Sequence, residues 1–393
     1  MKRILLLFLS IAFSLFLCEM ILFANGRYNN LVDTTYSNDM IWGPPEATTT
    51  YFMHPDLHFN VPLKYDHSGV RNDGLIETED KKNVYAFFGD SMTENKRILS
   101  EFTFTEILGE LIPDAAVVNY GVSGYGLDQE YLRYKRFSHQ DIKRVFYVFC
   151  DNDFSDLYET HLFDINQNKQ LIFLKPESHW TKYIISKFRI TYLLVETYTE
   201  LKSLFNEKQL AKMGNVDYMK DYLAKLFPHY KSKKPFKKTK QYDADFSNFM
   251  RKALIRNNYN NSEVAEFRNK FRMLLQHWND ELAMKGIEFD IVVVPTKRAQ
   301  RAAVNLFGDL PLNVLYLRNH MGNTSYKQYK FKSAIKDNHW NEKGNLFAAI
   351  TIYKYLCFAL SADDDKIIRN IEERIAELYA SSNPVTSPIA HDP

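Results

Sequence analysis

The sequence predicts an α/β fold in which a parallel sheet is covered by helices on both faces. Two observations carry this reading. Short apolar runs end in glycine, asparagine or aspartate, and helical patterns separate one run from the next. With 393 residues, 45% hydrophobic and 25% charged, the chain can bury one large core or two modest ones.

The first element lies outside that body. After Lys2 and Arg3, residues 4–23 are apolar apart from Ser10, Ser14 and Glu19. That is about the twenty residues a helix needs to cross a bilayer. Residues 1–24 read as an uncleaved anchor, with a cleaved export signal as the second reading. Leu22 and Ala24 make a weak cleavage site. Leu15, Phe16 and Leu17 lack the small residues that precede a lipidated cysteine, which argues against lipidation at Cys18. The positive flank places everything after Phe23 on the non-cytoplasmic side of the cytoplasmic membrane.

Residues 25–82 are turn-rich and aromatic, and Pro44, Pro45, Pro55 and Pro62 interrupt any long periodic element. They read as a lead-in that packs on the main domain. Residues 84–88 and 115–120 are then buried strands, followed by strands at 145–149, 289–294 and, more weakly, 314–317. Helical patterns occupy 102–111, 128–137, 264–285 and 343–360.

About 135 residues separate the third strand from the fourth, too many for one crossover. The main domain is therefore assigned to 83–156 and 264–380, with a mainly helical cap inserted at 157–263. Helices are expected there at 184–205 and 219–226. Lys231, Lys233, Lys234, Lys237, Lys238 and Lys240 follow, either a solvated loop or a site for anionic headgroups or an acidic glycan. The tail 381–393, with Pro384, Pro388 and Pro393, reads as disordered.

The 50 Lys and Arg nearly balance the 48 Asp and Glu, for a formal charge of +2, so no global field favours nucleic acid. Cys18, Cys150 and Cys357 show no metal-binding spacing, and neither a disulfide framework nor a metal is expected. A site built from His339, Asp337 and His320 or His179 lacks paired-histidine spacing. No cofactor is called for. Gly121, Gly124 and Gly126 run Gly-x-x-Gly-x-Gly, which is not the dinucleotide fingerprint, and no phosphate loop occurs.

Ligands of open α/β sheets bind beyond the carboxyl ends of the strands. Gly89, Asp90 and Ser91 follow the first strand; Asn119, Gly121, Ser123, Gly124 and Gly126 the second; Asp151, Asn152 and Asp153 the third. Asp337-Asn338-His339-Trp340-Asn341 comes late in the chain. Singly, each has an ordinary explanation as a cap or turn. Together they supply acyl-transfer chemistry: a serine hydroxyl needs a base to take its proton, and the base needs a carboxylate to orient it. Asp337 and His339, two apart, leave one face of an extended loop. Asp56 and His58 share that spacing but lie in the proline-broken lead-in. The N–H groups of Ser91 and Gly124 and the amide of Asn152 are the candidate donors to an oxyanion. Asp90 is expected to brace the loop.

These blocks resemble the SGNH/GDSL hydrolases. The first is Phe88-Gly89-Asp90-Ser91-Met92-Thr93. The second is Val118-Asn119-Tyr120-Gly121-Val122-Ser123-Gly124-Tyr125-Gly126, and the third Cys150-Asp151-Asn152-Asp153. The last is Asp337 to Asn341 with Lys343 and Gly344. The resemblance covers about 84–156 and 264–360, and looks closest to the bacterial branch with an N-terminal membrane segment. It implies a flavodoxin-like fold and a Ser91–His339–Asp337 triad. Ser91, Gly124 and Asn152 form the implied oxyanion hole, and Asp90 and Asn119 support it. The implied activity is hydrolysis of an acetyl or short acyl ester on an envelope glycan or lipid.

The sequence departs from the family in three places. Asp337-x-His339 is one residue shorter than the usual spacing, as in related polysaccharide O-acetyl transferases and esterases, which keeps acyl transfer to a polysaccharide open. Asp151 stands where a glycine is common, and Met92 replaces the leucine of the family name. An inactive glycan-binding or scaffold module is the remaining reading, one that would leave Ser91 and His339 out of mutual reach.

Overall fold

The computed structural model describes residues 10, 13–22, 35–37, 41–43, 48–71, 83–137, 141–168, 170–174, 244–332, 338–356 and 358–381. Two compact units divide the chain: 1–32 with 178–243, and 33–177 with 244–393. In the first, residues 13–22 are helical. Among the described residues no helix is long and apolar enough to cross a membrane, and the apolar run 4–23 is only partly described. The helices expected at 184–205 and 219–226, the lysine run and the tail beyond Ser381 lie outside the described residues.

The second unit opens with antiparallel pairs rather than the turns expected of the lead-in: β1 (Thr35–Ser37) with β2 (Ile41–Gly43), and β3 (Thr48–Met53) with β4 (Asn60–Tyr65). Pro62 sits inside β4 opposite Tyr51. A two-stranded ribbon has a free edge, so a residue without an N–H is tolerated there.

The central sheet uses β5 (Asn83–Gly89), β6 (Ala115–Asn119), β7 (Ile142–Phe149), β10 (Glu288–Val293) and β11 (Asn313–Tyr316), all parallel. A small antiparallel pair, β8 (Phe163–Ile165) and β9 (Leu171–Phe173), stands apart. Spatial order is β6-β5-β7-β10-β11. Renumbered along the chain, this is 2-1-3-4-5, the flavodoxin-like order, which reverses direction between β5 and β7.

Successive strand residues point to opposite faces, and both faces are covered. Phe87 stacks on Phe146 at 4.4 Å and meets Phe104 of α2 (Phe104–Leu111), on the face shared with α8 (Glu342–Tyr355). Its neighbour Phe88 stacks on Tyr120 at 4.8 Å. It also meets Tyr134 of α3 (Leu127–Phe137) and Trp278 of α6 (Ser262–Met284). Phe87, Phe88, Phe146 and Trp278 are fully buried, and each contributes about 1.5–3 kcal/mol of burial.

Both ends of the expected cap belong to this core. Leu157 of α4 (Asp153–Thr160), with Leu162 and Phe163, is buried in it, as are Met250, Ala253 and Leu254 of α5 (Ala244–Ile255). What lies between them, 175–243, is outside the described residues. The helix expected at 343–360 stops at Tyr355, and α9 (Ala362–Ser381) follows as a separate helix. Ser361 and Asp364 restart it reciprocally: the Ser361 N–H donates to Asp364 Oδ2 at 2.7 Å, and the Asp364 N–H to Ser361 Oγ at 3.1 Å.

Candidate active site

Ser91 opens the four-residue helix α1 (Ser91–Glu94) directly after β5, where the strand order reverses. The turn is tight: a Cβ on Gly89 would stand 2.2 Å from Thr93 Oγ1 and 2.9 Å from the Val148 carbonyl, so only glycine fits. Asp90 caps α1, accepting from the Met92 N–H at 2.8 Å. The Ser91 N–H is among the donors a helix start leaves without an intrahelical acceptor.

The lead-in holds the far end of α1. Arg71 donates to the carbonyls of Glu94, Asn95 and Ile98 at 2.9, 2.5 and 2.7 Å, and Tyr65 donates to Glu94 Oε1 at 2.8 Å. The other Glu94 oxygen accepts from the N–H and hydroxyl of Ser123, both at 2.6 Å. Asn119 ties the second loop to the first, donating to the Thr93 carbonyl at 2.8 Å and accepting from the Gly121 N–H at 3.0 Å. Arg133 is fully buried and donates to the carbonyls of Tyr120 and Gly69 at 2.7 and 2.8 Å. Arg71, Glu94 and Arg133 were not singled out in the sequence, since a buried charge there reads as surface.

His339 approaches from the other side of the site, its Nε2 2.7 Å from Ser91 Oγ. Its loop is held by neighbours. Tyr326 donates to the Asn338 carbonyl at 2.5 Å, Trp340 bridges to Lys330, and Asn341 caps α8 by accepting from the Gly344 N–H at 3.0 Å. Burial lowers the His339 pKa below its ordinary value and the Arg97 cation lowers it further, against a smaller opposing pull from Asp90. A neutral imidazole with its proton on Nδ1 can accept the Ser91 proton. Asp337, the residue expected to orient that ring, lies outside the described residues, and so does His179. His320 is exposed, and among the described residues no group of three or more metal-ligating side chains gathers.

The expected oxyanion donors are placed differently from one another. Ser91 and Asn152 line the cavity. Gly124, at φ 79°, sits at the third position of a turn closed by Tyr125 N–H to the Val122 carbonyl at 3.1 Å; it is exposed and does not line the cavity. Both protons of the Asn152 amide are engaged, with Asp90 Oδ2 and Asp156 Oδ2 at 2.8 Å each. Burial raises the Asp156 pKa well above its ordinary value, despite the Asn152 bond. Burial thus disfavours a charged acceptor there, and a developing oxyanion, whose charge-assisted bonds are roughly twice as strong as neutral ones, competes for that proton.

Further carboxyls lie beneath the site. Glu130 and Asp153 are buried, and desolvation, with neighbouring carboxylates, raises both pKa values well above normal. Tyr147 and the Cys150 N–H donate to Asp153 Oδ2 at 2.8 and 3.0 Å, whereas neither Glu130 oxygen has a partner among the described residues. Asp151 faces the cavity, and Arg251 Nε pairs with it at 3.2 Å. Asp56 and His58 stand apart: Asp56 accepts from the Lys332 N–H at 2.9 Å, and exposed His58 has φ 57°.

The cavity over Ser91 and His339 measures about 950 Å³. Its walls include Arg97, Arg251, Lys297, Arg298 and Arg318, which the sequence reading passed over. The signal was there. Pro295-Thr296-Lys297-Arg298 follows the fourth strand, and the strand-end rule that selected Ser91 and Asn152 also applies to it.

The fold and site define an α/β protein with a serine–histidine pair at the switch point of its sheet. No family model matches the chain, and no curated protein does. Solved structures do match. One is the crystal structure of a member of the lipolytic G-D-S-L family from Veillonella parvula, at 11% identity and TM-score 0.31, covering 69% of this chain and 96% of that one.

Proposed function

We propose that the protein is a serine ester hydrolase of the SGNH/GDSL type, acting on an acetyl or short acyl ester of an envelope glycan or lipid. One observation carries the reading: the 2.7 Å approach of His339 Nε2 to Ser91 Oγ in the lining of a cavity beyond the carboxyl ends of the sheet. In the first step Ser91 Oγ attacks the carbonyl carbon while His339 takes its proton, and charge gathers on the carbonyl oxygen. The Ser91 N–H and the Asn152 amide receive that charge in this reading; Gly124, the third donor that the family resemblance implies, lies outside the cavity lining. Collapse expels the alcohol, which takes the proton from His339. Water then repeats the sequence on the acyl-enzyme, releasing the acid and restoring Ser91.

Asp337, two residues before His339, is proposed to hold the imidazole. Residues 4–23, behind Lys2 and Arg3, support a tether with the site on the non-cytoplasmic side. Transfer of the acyl group to a polysaccharide hydroxyl uses the same residues with another acceptor, and the Asp337-x-His339 spacing supports it as the second reading. The inactive module requires Ser91 and His339 apart, which the 2.7 Å distance argues against.

The test is labelling of the full-length protein with a serine-directed fluorophosphonate, peptide mapping, and an aryl acetate assay. Labelling at Ser91 that is lost in His339→Ala, with turnover abolished in Ser91→Ala, is the expected result. Unchanged turnover in a folded Ser91→Ala protein would end the assignment.

A further inference from the structure

Among the described residues, the cavity that holds Ser91 is lined by more positive than negative charge: Arg97, Arg251, Lys297, Arg298 and Arg318 against Asp90 and Asp151. Asp151 is offset by Arg251 at 3.2 Å, and Asp90 receives two hydrogen bonds inside the fold. Among the described residues Arg318 reaches only a backbone carbonyl, that of Pro295 at 3.5 Å. Among the described residues no ion pair within 4 Å engages Lys297 or Arg298, both exposed at the first turn of α7 (Lys297–Phe307), although Arg298 shares Asp151 with Arg251 at longer range. The positive end of that 11-residue helix adds to their field.

The whole chain carries a formal charge of only +2, so this concentration is local to the site. Like charges facing one concavity raise one another's energy, and low-dielectric walls focus their field on whatever enters. An anion relieves that repulsion. A neutral ester gains nothing from it.

The geometry points to an anionic substrate: an acyl ester that carries a carboxylate or phosphate away from the scissile carbonyl, received by the Lys297–Arg298 wall while Ser91 meets the carbonyl. This rests on the esterase reading for the carbonyl, and on the charge lining alone for the anion. Lys297, Arg298 and Arg318 are specificity residues here and touch no reacting atom.

The test compares matched esters on the full-length protein: 4-acetoxybenzoate and 4-acetoxyphenyl phosphate, each against neutral methyl 4-acetoxybenzoate. The quantity read is kcat/KM for the anion over that for the neutral ester, in the parent and in Lys297→Gln/Arg298→Gln. Comparing ratios between proteins cancels the intrinsic difference in leaving groups, and general damage lowers both esters together. The parent ratio is expected to exceed that of the double variant by about tenfold or more for at least one anion, and to shrink as salt is raised. A carboxylate preference or a phosphate preference supports the inference and names the group. Equal ratios in the two proteins, with no salt dependence, overturn it. Should the double variant not fold, the salt dependence of the parent ratio decides.

Binding of 4-acetamidobenzoate and methyl 4-acetamidobenzoate, measured by calorimetry, needs no turnover. Tighter binding of the anion without ester cleavage leaves the anion site standing and removes the esterase. Ester cleavage with no anion preference does the reverse.

Discussion

Asn152→Ala removes the amide that joins Asp90 to Asp156, and its consequences are readable in stability and in rate. Two bonds of 2.8 Å to buried carboxyls are lost. Hydrogen bonds to charged groups contribute about 1.5–3 kcal/mol each, which bounds the loss at roughly 3–6 kcal/mol. The actual loss is smaller, because burial already raises both carboxyl pKa values and each can take up a proton when its donor goes. We expect about 2–4 kcal/mol at pH 8, a large share of ordinary domain stability. The pH sign follows from linkage. The Asn152 bond lowers both pKa values against desolvation, so its removal raises them further. A carboxyl whose folded pKa lies above its unfolded value loses stability as pH climbs from the unfolded value toward the folded one. The variant should therefore lose more at pH 8 than at pH 5. Urea midpoints and m-values at both pH values measure this, with ester turnover on the same samples. A kcat loss of about 10²–10³ is the added signature if the amide also serves the oxyanion. A variant as stable as the parent at pH 8 would refute the bridging role.

Other perturbations separate the parts of the site. Arg97→Gln removes a cation that disfavours the His339 imidazolium, so the acid limb of the kcat/KM profile should move to higher pH; a limb that stays put or moves down counts against that coupling. Glu130→Gln should stabilise the protein, because burial raises the folded pKa of this carboxyl and makes its ionised form costly. The gain should grow as pH rises above the ordinary 4.5 and vanish near pH 4 in thermal or urea unfolding. Arg71→Ala leaves the carbonyls of Glu94, Asn95 and Ile98 without their donor and should cost about 2–4 kcal/mol in urea unfolding, with kcat falling more than KM changes as α1 loosens.

The parallel strands and their order along the chain were legible because each, apart from the half-exposed edge strand β11, is a short apolar run buried on both faces and punctuated by turn residues. The candidate site residues were legible for a related reason: Ser91 and Asn152 follow predicted strand ends and His339 sits in a short polar block, and the structure brings Ser91 and His339 together and sets Asn152 in the same cavity lining. Buried arginines were not legible. Arg71 and Arg133 carry charges that composition assigns to the surface, and only the carbonyls waiting at Glu94, Asn95, Tyr120 and Gly69 give them a reason to be inside.

The packing of the ends of the inserted region was equally hidden. Met250, Ala253 and Leu254 are an ordinary helical stripe until the partner they bury against is known. The sequence by itself determined the α/β class and which side chains were chemically equipped. Only the tertiary structure decided that His339 stands 2.7 Å from Ser91 across 248 residues, that the Asn152 protons are shared by two carboxyls, and that arginines from distant segments line one cavity. Periodicity and turn chemistry act over a few residues, whereas desolvation, charge focusing and hydrogen-bond pairing depend on which segments the folded chain brings together.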